Sequence, residues 1–161
     1  MVTGQARVSL KDILEGMEFQ SDEVTAYLHR STARVIAVSD EALQTAEEGV
    51  GTDAGIDELE LADARGILAG GDDYLPLPDR FEIDEYRMME RFTAGISDLA
   101  AQEQVRDALR GSGAFRRFKD AVRQLGLADE WYRYRDRGYE DVARAWCEEH
   151  GIVVDPPAAD A

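Results

Sequence analysis

Apolar positions change their spacing twice within the first forty residues. Leu10, Ile13, Leu14 and Met17 recur at helical intervals behind Ser9-Leu10-Lys11-Asp12, which resembles a capping box with Asp in place of Glu. They predict a short helix ending near Gly16. The period then falls to two: Val24, Ala26 and Leu28 alternate with Thr25, Tyr27 and His29, and the β-branched run Arg34-Val35-Ile36-Ala37-Val38 follows after Arg30-Ser31-Thr32-Ala33. Two strands this close in sequence predict an antiparallel β-hairpin, although the Asn-Gly turn signal is missing.

Ser39-Asp40 suits the start of a helix running through Ala46. The stretch from Glu47 to Gly55 is too acidic and glycine-rich to anchor itself by apolar burial, and predicts a mobile loop. A helix over Asp57–Leu68 is broken by Gly70-Gly71. In Tyr74-Leu75-Pro76-Leu77-Pro78 the alternate prolines forbid a central strand but permit an extended edge strand, a third strand for the hairpin.

From Asp84 onward the pattern is helical with clear punctuation. Asp84 caps a segment carrying Tyr86, Met89 and Phe92, and Ser97 caps one carrying Val105 and Leu109. Gly111-Ser112-Gly113 separates that helix from Phe115–Leu125, which Gly126 closes. Asp129 is expected to cap a longer helix to about Glu149, with Trp131, Tyr134, Gly138, Val142, Ala145 and Trp146 on one face. The sum is a mainly helical α+β fold: an N-terminal antiparallel hairpin, with room for a third strand, packed against about six helices. Residues 1–155 are expected to form a single globular domain and 156–161 a flexible tail.

Composition narrows the function more than the fold. The formal charge of −16 opposes general attraction to nucleic acid or anionic lipid, both of which depend on summed positive charge. Nucleic acid is therefore disfavoured as a partner, and no apolar run suits a membrane span. The single cysteine, Cys147, and the polar opening Met1–Arg7 suit a cytoplasmic protein. Charge is uneven along the chain: residues 1–79 carry 5 Lys/Arg against 17 Asp/Glu, whereas Arg106 to Arg137 reverses the balance with 9 against 5.

Three blocks occur in order: Tyr74-Leu75-Pro76-Leu77-Pro78; Gly113-Ala114-Phe115-Arg116-Arg117-Phe118-Lys119-Asp120; and Glu130-Trp131-Tyr132-Arg133-Tyr134-Arg135-Asp136 with Trp146-Cys147-Glu148-Glu149-His150-Gly151. Together they resemble the bacterial uncharacterised protein family zero-one-five-eight, over about residues 8 to 153. The resemblance implies a small bacterial cytoplasmic protein of unassigned function and transfers no catalytic residue.

Candidate chemistry is sparse. A nucleophilic triad would have to use His29 or His150, and the only Cys/His neighbours, Cys147 and His150, fall short of the roughly four ligands of a zinc site. No phosphate-binding glycine motif is present, no EF-hand spacing organises the acids, and no cofactor is predicted. The positive stretch is the best lead. Arg116, Lys119 and Arg123 share a face beside the apolar stripe of Phe115, Phe118, Val122 and Leu125, and Arg106 and Arg110 extend it from the preceding helix. This is either a solvent face laced by pairs such as Arg116–Asp120 or a patch for an anionic group. On the last helix Arg135 falls inside the apolar arc, so it either pairs with a carboxylate from the N-terminal half or faces a ligand beside Trp131, Tyr132 and Tyr134.

Two functional readings follow. One is a non-enzymatic interaction or regulatory protein that recognises an anionic group or a protein surface through its late helices. The other is a small enzyme acting on a phosphorylated or carboxylated metabolite through Arg135 and a buried carboxylate.

Overall fold

A computed structural model of the chain describes residues 7–49, 56–70 and 72–155. These contain β1 (Val8–Ser9), α1 (Leu10–Phe19), β2 (Val24–His29), β3 (Arg34–Ser39), α2 (Asp40–Glu48), α3 (Glu58–Leu68), β4 (Tyr74–Pro76), α4 (Arg80–Ile83), α5 (Glu85–Ala94), α6 (Leu99–Ala108), α7 (Ala114–Gln124), α8 (Ala128–Glu149) and β5 (Val154–Asp155). The fold is α+β and mainly helical, with the expected hairpin. Residues 50–55 of the acidic loop, Gly71 and the tail 156–161 lie outside the described residues.

The described residues fall into two compact units, one within Met1–Asp79 and Val142–Ala161, the other Arg80–Asp141. In the first, β2 pairs antiparallel with β3, Val24 opposite Ser39 through His29 opposite Arg34. The third strand allowed by the sequence is real: β4 pairs antiparallel with β2, giving the order β3-β2-β4 and leaving the prolines on an edge. Because cross-strand partners share a face, Ala26, Leu28, Val35 and Ala37 point one way, while Tyr27, Ile36 and Val38 point the other. The first face takes α1, where a methyl group at Gly16 would lie 2.6 Å from Val35 Cγ1. The second packs with Ala42 of α2 and Ala64 of α3 into an apolar cluster. This sheet is covered on both sides, which explains why β3 reads as a continuous apolar run rather than an alternating one.

Several local expectations need correction. Ser9 occupies the N-cap of α1, but its side chain makes no capping hydrogen bond; its backbone belongs to β1, which pairs in parallel with β5. α1 runs to Phe19, past Gly16. Helix α2 includes Glu47 and Glu48 and stops at Gly49, whose left-handed φ of 69° ends the helix where another residue would be strained. The cap of α6 is Asp98 rather than Ser97, its carboxylate accepting from the Ala100 and Ala101 N–H groups, and α8 already begins at Ala128, so Asp129 lies in its first turn rather than at its cap.

In the second unit the core is aromatic. Phe92 of α5, Phe118 of α7 and Trp131 and Tyr134 of α8 meet with ring centroids between 4.8 and 6.4 Å. Trp131 is fully buried and its indole N–H has no hydrogen-bond partner. The apolar face assigned to α8 is displaced by about one position near its end: Ala145 is exposed, whereas Tyr139, Ala143 and Cys147 are buried.

Candidate anion-binding site

Among the described residues of the second unit lies a cleft of about 670 Å³. Its apolar side includes Phe92, Ile96, Leu125 and Leu127, with Tyr134 half-buried beside them. Three arginines line it: Arg91 from α5, and Arg133 and Arg137 from α8. Glu130, Arg133, Tyr134 and Arg137 stand at i, i+3, i+4 and i+7, so a single helical face delivers all four.

Two local devices fix this geometry. Gln102 Nε2 donates to the Thr93 and Ala94 carbonyls at 3.2 and 3.1 Å, satisfying two acceptors at the end of α5 and holding the corner before Asp98. After α7, the Leu127 N–H donates to the Val122 carbonyl at 2.7 Å across Gly126, whose φ is 72°.

In the lining, arginines outnumber carboxylates three to two. Arg133 Nε reaches only the Asp129 carbonyl, at 3.4 Å, and Arg91 and Arg137 have no hydrogen-bond or ion-pair partner among the described residues. Carboxylates are present at Glu130 and Asp98, but Asp98 is turned onto the α6 cap. In a chain with 34 acids, three exposed arginines line this one cleft without a carboxylate partner among the described residues.

The arginines singled out by sequence distribute differently. Arg106 and Arg110 line a separate cleft of about 350 Å³ with Tyr86, Glu90 and Leu109. Arg116, Lys119 and Arg123 are exposed on α7 and line neither cleft. The Arg116–Asp120 pair allowed by spacing is not formed among the described residues. Arg135 is engaged: its Nε donates to Glu85 Oε1 at 3.1 Å, and its Nη2 lies 3.1 Å from the Tyr139 hydroxyl, which donates to the same carboxylate oxygen at 2.6 Å. The acid is thus Glu85 of α5, not one from the N-terminal half. Of the aromatic residues proposed beside it, Trp131 is buried in the core, Tyr132 is exposed, and Tyr134 borders the larger cleft. Arg91, Arg133 and Arg137 escaped the sequence reading; the one available signal was the Glu130–Arg133–Arg137 periodicity.

His29 lies in a separate constellation in the first unit. Its Nε2 sits 2.8 Å from Asp73 Oδ2, its Nδ1 2.9 Å from Thr32 Oγ1, and its ring stacks on Tyr74 at 4.3 Å. Ser31 donates to Asp73 through both its hydroxyl and its N–H. Desolvation alone would raise the Asp73 carboxyl, but hydrogen bonds from Ser31 and His29, and the His29 charge, hold it below its ordinary value. Both ring nitrogens are occupied within the turn, which ties the end of the hairpin to the start of β4. Cys147 is buried, and that desolvation pushes its thiol up to about 11 against the opposing pull of Arg144. Among the described residues no group of three or more His, Cys, Asp or Glu is placed to hold a metal ion, and no helix is long and apolar enough to cross a membrane.

Residues 6–154 match the sequence model of the Uncharacterised protein family (UPF0158). The chain belongs to that family. The match spans both units and all three sequence blocks that carried the resemblance. No curated protein and no solved structure matches the chain.

Proposed function

We propose that this protein is a non-enzymatic interaction or regulatory module of the bacterial cytoplasm that recognises an anionic group in the cleft lined by Arg91, Arg133 and Arg137. The observation that carries this reading is one cleft lined by three arginines that lack carboxylate partners among the described residues of an acidic chain. Each guanidinium offers planar paired donors suited to carboxylate or phosphate oxygens. The volume is in the range of small-molecule sites and well above that of a bare oxyanion. The enzyme reading draws on Arg135 and a buried carboxylate. Those groups are bound to each other and do not line the cleft, so the cleft lends that reading no support.

The test is thermal melting of the parent and of the Arg133→Ala/Arg137→Ala protein with phosphate, pyrophosphate and citrate. A ligand at about 100 times its dissociation constant stabilises the native state by about 2.7 kcal/mol. The parent is expected to melt higher with at least one of these anions, and the variant to lose that shift. Equal shifts in both proteins, or none in the parent, would overturn the assignment.

A further inference from the structure

The second cleft shares no lining residue with the first. At its edge lies an exposed aromatic pair: Tyr86 and Phe115, 37% and 47% exposed, with ring centroids 6.4 Å apart. The backbone nearby anchors Tyr86 and braces the turn before Phe115. The Tyr86 hydroxyl donates to the Leu109 carbonyl at 2.8 Å, and the Arg117 guanidinium donates to the carbonyls of Arg110 and Ser112, bracing the turn that delivers Phe115. Arg106, in the last turn of α6, and Arg110, just beyond the end of that helix, line the same cleft. Arg110 reaches the exposed Asp107 at 3.5 Å, a contact of negligible strength in water, and Arg106 has no partner among the described residues. Lys119 follows Phe115 by four residues, on the same face of α7.

We propose that Tyr86, Phe115, Arg106 and Arg110 form a docking surface for an acidic peptide segment of another protein, one bulky apolar side chain of which enters the 350 Å³ cleft. Preorganised aromatic rings beside arginines are the composition of interface hot spots. A bare phosphate would leave the aromatic pair exposed, and Glu90 in the lining opposes a compact multiply charged ion. A long polyanion or an anionic membrane meets the whole −16 of the chain, whereas a short segment meets only the local field. Acidic side chains can reach Arg106 and Arg110 while the apolar one covers the rings. This surface does not depend on the cleft of Arg91, Arg133 and Arg137.

The probe is a random twelve-residue peptide library displayed on phage and selected against the full chain, followed by fluorescence polarisation with the enriched peptides. Three variants serve as controls: Arg106→Glu/Arg110→Glu, Phe115→Ser and Arg133→Ala/Arg137→Ala. The substituted residues are exposed, and unchanged circular dichroism and melting confirm folding. The expected result is a consensus of two or more acids flanking Phe, Leu or Trp, with affinity falling about tenfold or more in the first two variants and holding in the third. No consensus, a consensus lacking either the acids or the apolar residue, or equal affinity for the first two variants would overturn the proposal. Loss confined to the third variant would place the peptides in the larger cleft, overturning this surface while supporting the other.

Discussion

Arg135 and Glu85 are fifty residues apart in sequence and joined by a hydrogen-bonded ion pair at 3.1 Å, each side chain about four-fifths withdrawn from water. The Tyr139 hydroxyl donates to the same carboxylate, and the Arg135 guanidinium carbon lies 4.2 Å from the centre of the Tyr139 ring. Replacing one member strands the other. Arg135→Met keeps the apolar stem but leaves Glu85 without its cation. It is expected to cost about 2 kcal/mol, a fall in Tm of roughly 4–8 °C. In Arg135→Met/Glu85→Leu much of that loss should return, and additive losses in the double-mutant cycle would refute the coupling.

Gly16 marks where α1 meets the sheet. An added methyl would lie 2.6 Å from Val35 Cγ1 and 2.7 Å from Leu77 Cδ1, and the β-branched Val35 has little freedom to give way. Although alanine gains about 1 kcal/mol of helix propensity, overpacking costs about 1–3 kcal/mol. Gly16→Ala should therefore destabilise on balance in chemical denaturation, and a gain in stability would show that the α1 contact is looser than described.

Asp73 gives a signed pH dependence. Its folded carboxyl lies below the ordinary value of 3.8, so the contribution is present above that pH and lost as pH falls through the lowered folded value. Asp73→Asn should melt below the parent at pH 7, and the gap should close in acid. A gap that persists undiminished at pH 2 would assign the effect to something other than the carboxylate.

Cys147 should be inert while the chain is folded. With its thiol raised from 9.0 to about 11, almost no thiolate exists at pH 8, and burial blocks approach. Iodoacetamide should label it slowly in buffer and quickly in guanidinium chloride. The same shift predicts stability falling as pH rises above 9, since only the unfolded chain then loses the proton readily. Rapid labelling under native conditions would contradict both expectations.

What the sequence determined is local. Ser39 and Asp84 cap the helices their positions announce, because the N–H groups they satisfy lie three residues away. Gly126 stops α7 for a reason equally contained in its own backbone. The period of two in Val24–His29 and the alternate prolines after Tyr74 were enough for a hairpin with an edge strand. The choice between Ser97 and Asp98 was not legible, since both residue types cap and only the path of the chain decides which reaches the free N–H groups. Which residues converge was decided by the tertiary structure. Glu85 had no mark in sequence as the partner of Arg135, and Arg91 had none as the neighbour of Arg133 and Arg137. The pairing of β1 with β5 likewise joins the two ends of the family match. Caps and periodicities are enforced by forces acting over a few residues. The clefts and the ion pair exist only where packing of Phe92, Phe118 and Trp131 draws distant helices together, and no short window of sequence contains that information.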